Sequence, residues 1–188
     1  MRIIAGIWRG RRIAAPTGQQ TRPTADRARE TLFSMLVSRL GGFTDLAVAD
    51  LFAGSGALGL EAMSRGAATC LFIERDAQTL AAIRANITAL GAAGATLRAG
   101  DAENPGPAPA PFNLIFLDPP YGSVDCGALI DRLITAGWTK VGTVFSVETG
   151  HDEAPQPRSA CLLTSRKVGK AMLHLFESRV TLAPHNSI

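Results

Sequence analysis

The sequence predicts an α/β fold built on a mostly parallel sheet, and three features carry that expectation. Short apolar runs rich in β-branched and aromatic residues alternate with stretches of helical composition. A strand, a glycine-rich turn and a helix start follow one another between Leu46 and Met63. The last two apolar runs, Ala160 to Thr164 and Met172 to Phe176, have no helix between them and turn near Gly169, so they read as a closing antiparallel pair.

The elements follow in order. Arg2 to Ala5 and Ile7 to Ala14 read as a small strand pair turning at Gly6 or Gly10. After Pro23, Thr24 is a plausible N-cap with Asp26 in the first turn, and Ala25, Ala28, Leu32, Met35 or Leu36, and Leu40 recur at helical spacing. That apolar stripe should pack on the sheet. Leu46 to Ala49 is a strand leading into Asp50, and Leu60-Glu61-Ala62-Met63 suits a helix. Thr69 to Ile73 is a strand ending in Glu74-Arg75-Asp76, and Ala77 to Leu90 has helical composition. Ala95 to Ala99 is a third strand, closed by Gly100-Asp101-Ala102. Four prolines between Asn104 and Pro111 forbid a helix and predict a surface loop. Phe112 to Leu117 is a buried strand, and Val144 to Glu148 is a fifth.

The most informative residues are Asp118-Pro119-Pro120-Tyr121, directly after the strand ending at Leu117. Two prolines stop strand pairing and helix entry there, so an acid, two carbonyls and an aromatic ring are held rigidly at a strand's carboxyl end. A carboxylate and the Pro119 carbonyl are both acceptors, and together they can take both hydrogens of an amino group. The Tyr121 ring can then lie against the face of a base. Taken alone, the segment is equally a plain turn after a core strand.

A second element separates these readings. Gly54, Gly56 and Gly59 satisfy G-x-G-x-x-G, so a nicotinamide or flavin dinucleotide must be weighed. Asp50 opposes it, because a carboxylate before the glycines repels a pyrophosphate. A ligand carrying an ammonium and a sulfonium, such as S-adenosylmethionine, is attracted instead. Glu74, at the end of the second strand, can accept from ribose hydroxyls, and Asp101 from an adenine amino group. Asp50, Glu74, Asp101 and Asp118 are thus four acids expected to converge on the carboxyl edge of one sheet.

Charge is uneven along the chain. Residues 1–30 hold seven arginines against Asp26 and Glu30, whereas the remainder has 12 basic and 14 acidic side chains. Such arginine density suits phosphate, which the guanidinium meets bidentately. Trp8 either stacks on a nucleic acid or packs the arm onto the domain. With 188 residues the chain is long enough for one domain with a substantial core. The apolar residues after Arg2 end at Trp8-Arg9, so neither a signal sequence nor a membrane span is expected and the cytoplasm is the expected location. Cys70, Cys126 and Cys161 are widely spaced, and His151, His174 and His185 form no cluster, so neither disulfides nor a metal are expected. His174, in an alternating strand, reads as structural, and a monomer is the default.

The order Asp50-Leu51-Phe52-Ala53-Gly54-Ser55-Gly56, Glu74, Asp101, Asp118-Pro119-Pro120-Tyr121 resembles the S-adenosylmethionine-dependent amino methyltransferases. Residues 1–13 and Arg22 to Phe33 narrow the resemblance to the RsmD family, which methylates guanine N2 in bacterial small-subunit (16S) ribosomal RNA. The resemblance implies a Rossmann-like class I fold, a seven-stranded, mostly parallel sheet with one antiparallel strand, and an N-terminal β-hairpin. A basic arm would span residues 1–21 and the methyltransferase domain residues 22–188. It implies Asp118, Pro119, Pro120 and Tyr121 at the reacting base. Cofactor contacts would come from Asp50, Phe52, Gly54, Gly56, Glu74, Arg75, Asp101 and Ala102, with Thr24 near the methionine end. Arg9, Arg11, Arg12, Arg22, Arg27 and Lys167 would meet the ribosomal RNA, free or in an assembling small subunit. Either Asp118 or solvent takes the proton that leaves.

Other classes fit less well. A DNA adenine or cytosine methyltransferase usually needs a separate target-recognition region that this chain is too short to hold. A release-factor glutamine methyltransferase typically carries Asn where Asp118 stands. A non-catalytic RNA-binding module has no reason to keep all four acids.

Overall fold

The structure is a computed structural model that describes residues 1–15 and 23–179, with side chains of the first helix described from Asp26 onward. Its elements run α1 (Pro23–Leu40), β1 (Ala47–Leu51), α2 (Ala57–Ser64), β2 (Thr69–Glu74), α3 (Ala77–Leu90), β3 (Ala95–Ala99), β4 (Phe112–Leu117), α4 (Cys126–Thr135), β5 (Thr139–Gly150), β6 (Ala160–Val168) and β7 (Ala171–Ser178). The strands form one seven-stranded sheet in the order β3-β2-β1-β4-β5-β7-β6. The first five pair in parallel, and β7 runs antiparallel to both its neighbours. Chain order reverses between β1 and β4, the place where open α/β sheets leave a crevice at their carboxyl edge.

Alternation along the strands builds two cores. Val48, Cys70, Phe72, Leu114 and Phe116 face one side and pack with Leu32, Phe33 and Leu36 of α1, Leu60 and Met63 of α2 and Ile83 of α3. Ala49, Leu51, Leu71, Ile73, Ile115 and Leu117 face the other and pack with Leu129, Ile130 and Leu133 of α4. The helices end where their sequences say they should. Asp76 accepts from the Thr79 N–H at 2.7 Å to cap α3, and Gly91 stops it at φ 65°. Asp125 caps α4 through the Ala128 N–H at 3.0 Å.

Several expectations need correction. Helix α1 begins at Pro23, whose missing N–H costs nothing in a first turn, so Thr24 lies within the helix and is not its cap. Helix α4 was not anticipated, and β5 is longer than the run from Val144 to Glu148. The proline-rich segment forms no helix but is more than a free loop. Its Gly106 carbonyl accepts from the fully buried Trp138 Nε1 at 2.8 Å, and its Pro105 carbonyl from Arg98 at 3.0 Å.

The N-terminal arm is not a regular strand pair. A single antiparallel bridge joins Arg2 to Arg12, because much of the arm's backbone is spent on α2. The buried Glu61 carboxylate accepts from the N–H groups of Ile4 and Ala5 at 2.7 and 3.0 Å. The Trp8 N–H donates to Ser64 Oγ at 3.0 Å and the Ile7 N–H to the Ser64 carbonyl at 2.8 Å. Contact is so close that a Cβ on Gly6, at φ 84°, would fall 1.8 Å from the Ser64 oxygen. Ile3 and Ile13 are buried in the core, and Trp8 packs against it. The arm is therefore a docked part of the domain, and the indole serves packing.

Candidate active site

Strand register sets the site. Leu51 is paired with Ile73 and with Leu117, Ile73 with Arg98, and Leu117 with Val147. One step further along every strand is a row across the carboxyl edge: Ala99, Glu74, Phe52, Asp118 and Glu148. Neighbours in such a row are roughly 5 Å apart, the spacing of adjacent strands. Glu74, Phe52, Asp118 and Glu148 of this row line a cleft of about 740 Å³, walled also by Gly54, Arg75, Asp101, Ala102, Pro119, Pro120, Tyr121 and Ser123.

Asp50 is not in that row. It pairs with Phe116, two residues below Asp118, and is 1 % exposed. Its Oδ2 accepts the Gly59 N–H at 2.8 Å, and it does not line the cleft. The expectation that Asp50 meets the ligand directly is thus corrected. The carboxylate closes the β1–α2 turn from beneath and acts on the cleft only through its field. Burial and the nearby Glu74 push its pKa up to about 7, against the opposing hydrogen bond from Gly59.

The glycines divide their work. Gly54 lines the cleft, and its N–H donates to Glu74 Oε2 at 3.1 Å. Gly56 and Gly59 lie behind it and serve packing: a Cβ on Gly59 would stand 2.4 Å from the Phe72 ring. Gly56 is therefore not a cleft residue as expected. Phe52, between β1 and the glycines, adopts φ 63°, a conformation costly for a side chain of its size and concentrated at functional sites.

Glu74 and Asp101 lie where expected, already partly engaged. Glu74 Oε1 accepts from the N–H groups of Arg75 and Asp76 at 2.8 and 3.0 Å, which fixes the carboxylate while leaving lone pairs toward the cleft. Asp101 accepts from Asn104 Nδ2 and the Glu103 N–H at 2.9 and 3.0 Å, and these bonds lower its pKa.

Asp118 reaches solvent through the cleft mouth, while Pro119 behind it is buried. The surrounding walls strip bulk water from the carboxylate, and Glu148 and Asp50 add negative charge, so its pKa is raised well above the usual value. The Pro120 carbonyl is already engaged, accepting from the N–H and hydroxyl of Ser123 at 3.2 and 2.6 Å. The Tyr121 ring is 51 % exposed, and its hydroxyl donates to Glu148 Oε1 at 2.7 Å. Glu148 is the functional candidate that sequence reasoning missed. It ends an apolar run just as Glu74 and Asp118 do, and that signal was available.

The basic residues scatter. Lys167 borders a shallow pocket with Tyr121, His151 and Lys170, on the cleft's flank. Arg11 donates to the Ala89 carbonyl near the end of α3, and Arg9 follows the turn docked at Ser64, the end of α2. Those helix ends lie toward the opposite edge of the sheet, so Arg9 and Arg11 are not brought to the cleft. Arg12 is exposed on the arm and Arg27 on α1. Arg22 and the Thr24 side chain lie outside the described residues.

With this geometry in place, comparison with known proteins is decisive. The family described as Conserved hypothetical protein 95, the RsmD family, matches residues 1–177. The chain belongs to this family. Ribosomal RNA small subunit methyltransferase D of Escherichia coli (strain K12) is 38 % identical over 150 residues, covering 79 % of this chain and 74 % of that protein. The protein of the same name from Haemophilus influenzae is 32 % identical over 184 residues, covering 95 % and 94 %. A solved Escherichia coli structure, yhhF, described as a candidate methyltransferase, superposes with a TM-score of 0.84 at 33 % identity, over 96 % of this chain and 99 % of that one. The family match takes in the docked arm and the cleft alike, so both belong to the shared architecture. Among the described residues no His, Cys, Asp or Glu side chains are grouped to hold a metal ion, and no helix is long and apolar enough to cross a membrane. His174 is buried between Thr149 and Ser165 hydroxyls at 3.2 and 2.7 Å, a structural role as expected.

Proposed function

We propose that this protein transfers a methyl group from S-adenosylmethionine to the exocyclic N2 of a guanine in small-subunit ribosomal RNA. The observation that carries the reading is the row Glu74, Phe52, Asp118, Glu148 across the carboxyl edge, with the Tyr121 ring half open beside it. The names of the relatives from Escherichia coli and Haemophilus influenzae support the substrate class.

The cleft's chemistry fits the donor. Glu74 offers lone pairs to ribose hydroxyls, Asp101 and Ala102 on the cleft wall would contact the adenine, and Asp50 supplies negative potential from beneath the turn. When bound, S-adenosylmethionine supplies an electrophilic methyl group on a sulfonium. Guanine N2 is a poor nucleophile because its lone pair is delocalised into the ring. Asp118 and the Pro119 carbonyl accept its two hydrogens, favour a more tetrahedral nitrogen and aim the lone pair. The rigid Asp118-Pro119-Pro120 backbone fixes that aim in advance, so positioning supplies a large part of the rate. Tyr121, tethered by Glu148, offers its face to a nucleotide turned out of its stack. Lys167 holds the adjoining phosphates, and the arginines of the arm meet phosphates further away.

Incubation with tritiated methyl donor and, separately, ribosomal RNA, small subunits, duplex DNA and protein tests the reading. Label in N2-methylguanosine of the small-subunit RNA is expected. Label in DNA or protein but not RNA overturns it.

A further inference from the structure

Glu148 is the one acid of the cleft row for which the transfer reaction, as derived above, has no direct use. Its position is fixed by register: Leu117 pairs with Val147, so Asp118 and Glu148 leave adjacent parallel strands side by side. In a parallel pair, residues at one register level point to the same face, so the two carboxylates enter the same cleft. Glu148 is held there. Its Oε1 accepts the Tyr121 hydroxyl at 2.7 Å, which leaves Oε2 as a pure acceptor. Burial and a carboxylate neighbour make this an expensive place for a second acid. Such a cost is sustained where a ligand presents hydrogen-bond donors to both groups.

The purine bases differ in what they present next to an amino group. Guanine carries two adjacent donors on its Watson–Crick edge, N1–H and N2–H2. Adenine carries an amino donor beside an N1 acceptor. Two neighbouring carboxylates match the first pattern and repel the second. With the N2 hydrogens directed to Asp118 and the Pro119 carbonyl, the next donor along the edge is N1–H, and the next acceptor along the sheet is Glu148.

We propose that Glu148 is the specificity-determining residue of the cleft, accepting guanine N1–H while Asp118 receives N2. This rests on the amino-methyltransferase reading above and adds to it the choice of base. The Tyr121 hydroxyl is the second part of the device: its hydrogen bond orients Glu148 and keeps the carboxylate an acceptor toward the base. An adenine turned into the cleft would set its N1 lone pair against Glu148 Oε2, leaving two acceptors in contact and neither satisfied. Sites built to bond a particular donor reject analogues that lack it by large factors, about 10⁴ in favourable cases.

2-Aminopurine separates the two contributions, because it keeps the N2 amino group and replaces N1–H by an acceptor. The experiment places guanine or 2-aminopurine at the nucleotide that the wild-type protein methylates and compares kcat/KM for the pair. Wild type is expected to prefer guanine by at least about 100-fold. A glutamine amide can turn either its oxygen or its nitrogen to the base, so Glu148→Gln should shrink that preference at least about tenfold. Glu148→Ala, which removes the acceptor without adding a donor, should shrink it too. Both variants should bind S-adenosylmethionine with wild-type affinity by calorimetry, which checks their folding independently of transfer. A preference for guanine unchanged in both variants overturns the role of Glu148. Absence of any methylated nucleotide with the wild-type protein overturns the underlying reading instead, and the two failures are distinct.

Discussion

Asp50 Oδ2 accepts the N–H of Gly59 at 2.8 Å, nine residues along the chain, and this bond ties the end of β1 to the first turn of α2. It makes the acid before the glycine turn a strut, buried beneath the cleft. Because burial raises its pKa to about 7 from a usual 3.8, the folded state binds more protons than the unfolded chain between those values. Stability therefore falls as pH rises from about 4 to about 7, with an upper bound of about 4 kcal/mol. Asp50→Asn keeps an acceptor for Gly59 and removes the charge. Its melting temperature should exceed wild type at pH 8 and match it near pH 4, while its affinity for the cationic methyl donor should drop. Denaturation at the two pH values and calorimetry check both halves.

In the proposed reaction, Asp118→Ala removes an acceptor for the reacting nitrogen and leaves the cofactor end of the cleft intact. Methyl transfer should fall by at least about 100-fold in kcat, with S-adenosylmethionine affinity nearly unchanged. Single-turnover kinetics beside a binding titration separates the two effects.

The acid limb of the pH–rate profile should lie above the ordinary carboxylate range. Asp118 is raised by the cleft walls that desolvate its carboxylate and by Glu148 and Asp50, and Glu148 is raised by burial against the Tyr121 hydrogen bond. In the proposed reaction both are ionised to accept from the base, so activity is expected to be lost as pH falls through those raised values. Glu148→Gln removes the negative neighbour and should move the limb of Asp118 to lower pH. A profile of kcat/KM against pH for both proteins measures the shift.

Gly59→Ala places a methyl group 2.4 Å from the Phe72 ring and 2.5 Å from Cys70 Sγ. The helix must move off the sheet, at a cost of about 1–3 kcal/mol, and the Asp50 bond lengthens with it. Urea denaturation should show the loss.

Lys167→Ala, on the flank of Tyr121, should weaken binding to small-subunit RNA across sequences and reduce the slope of log K against log salt by about 1. Arg11→Ala should change the slope less, since the guanidinium is tied to the Ala89 carbonyl away from the cleft. Filter binding over a salt series distinguishes them.

Much of this architecture was legible in the residues. Each of β1 to β4 follows an apolar run, and α3 runs from Ala77 to Leu90 as its composition predicts. The alternation of β4 is hidden, because a strand buried on both faces is apolar at nearly every position. Periodicity therefore locates such strands but not how deep each residue sits. That is why Asp50 and Asp118 looked equivalent although register sets Asp50 two residues lower. Glu148 stayed without a role for the converse reason. Its meaning comes from Asp118 across the strand gap, and pairing between residues thirty apart is not written in either segment. The arm misled through its charge: seven arginines drew attention, while Glu61, which holds the arm, stands in the sequence only as one residue of a helical run.

The central claim is that the carboxyl edge of the sheet, with Glu74 lining the cleft and the buried Asp50 beneath it, receives a cationic alkyl donor. Calorimetric titration with S-adenosylmethionine and, in parallel, NADH tests it most directly. The account predicts saturable binding of S-adenosylmethionine, weakened by Asp50→Asn, and no binding of NADH. Tight binding of NADH together with indifference to S-adenosylmethionine would contradict it.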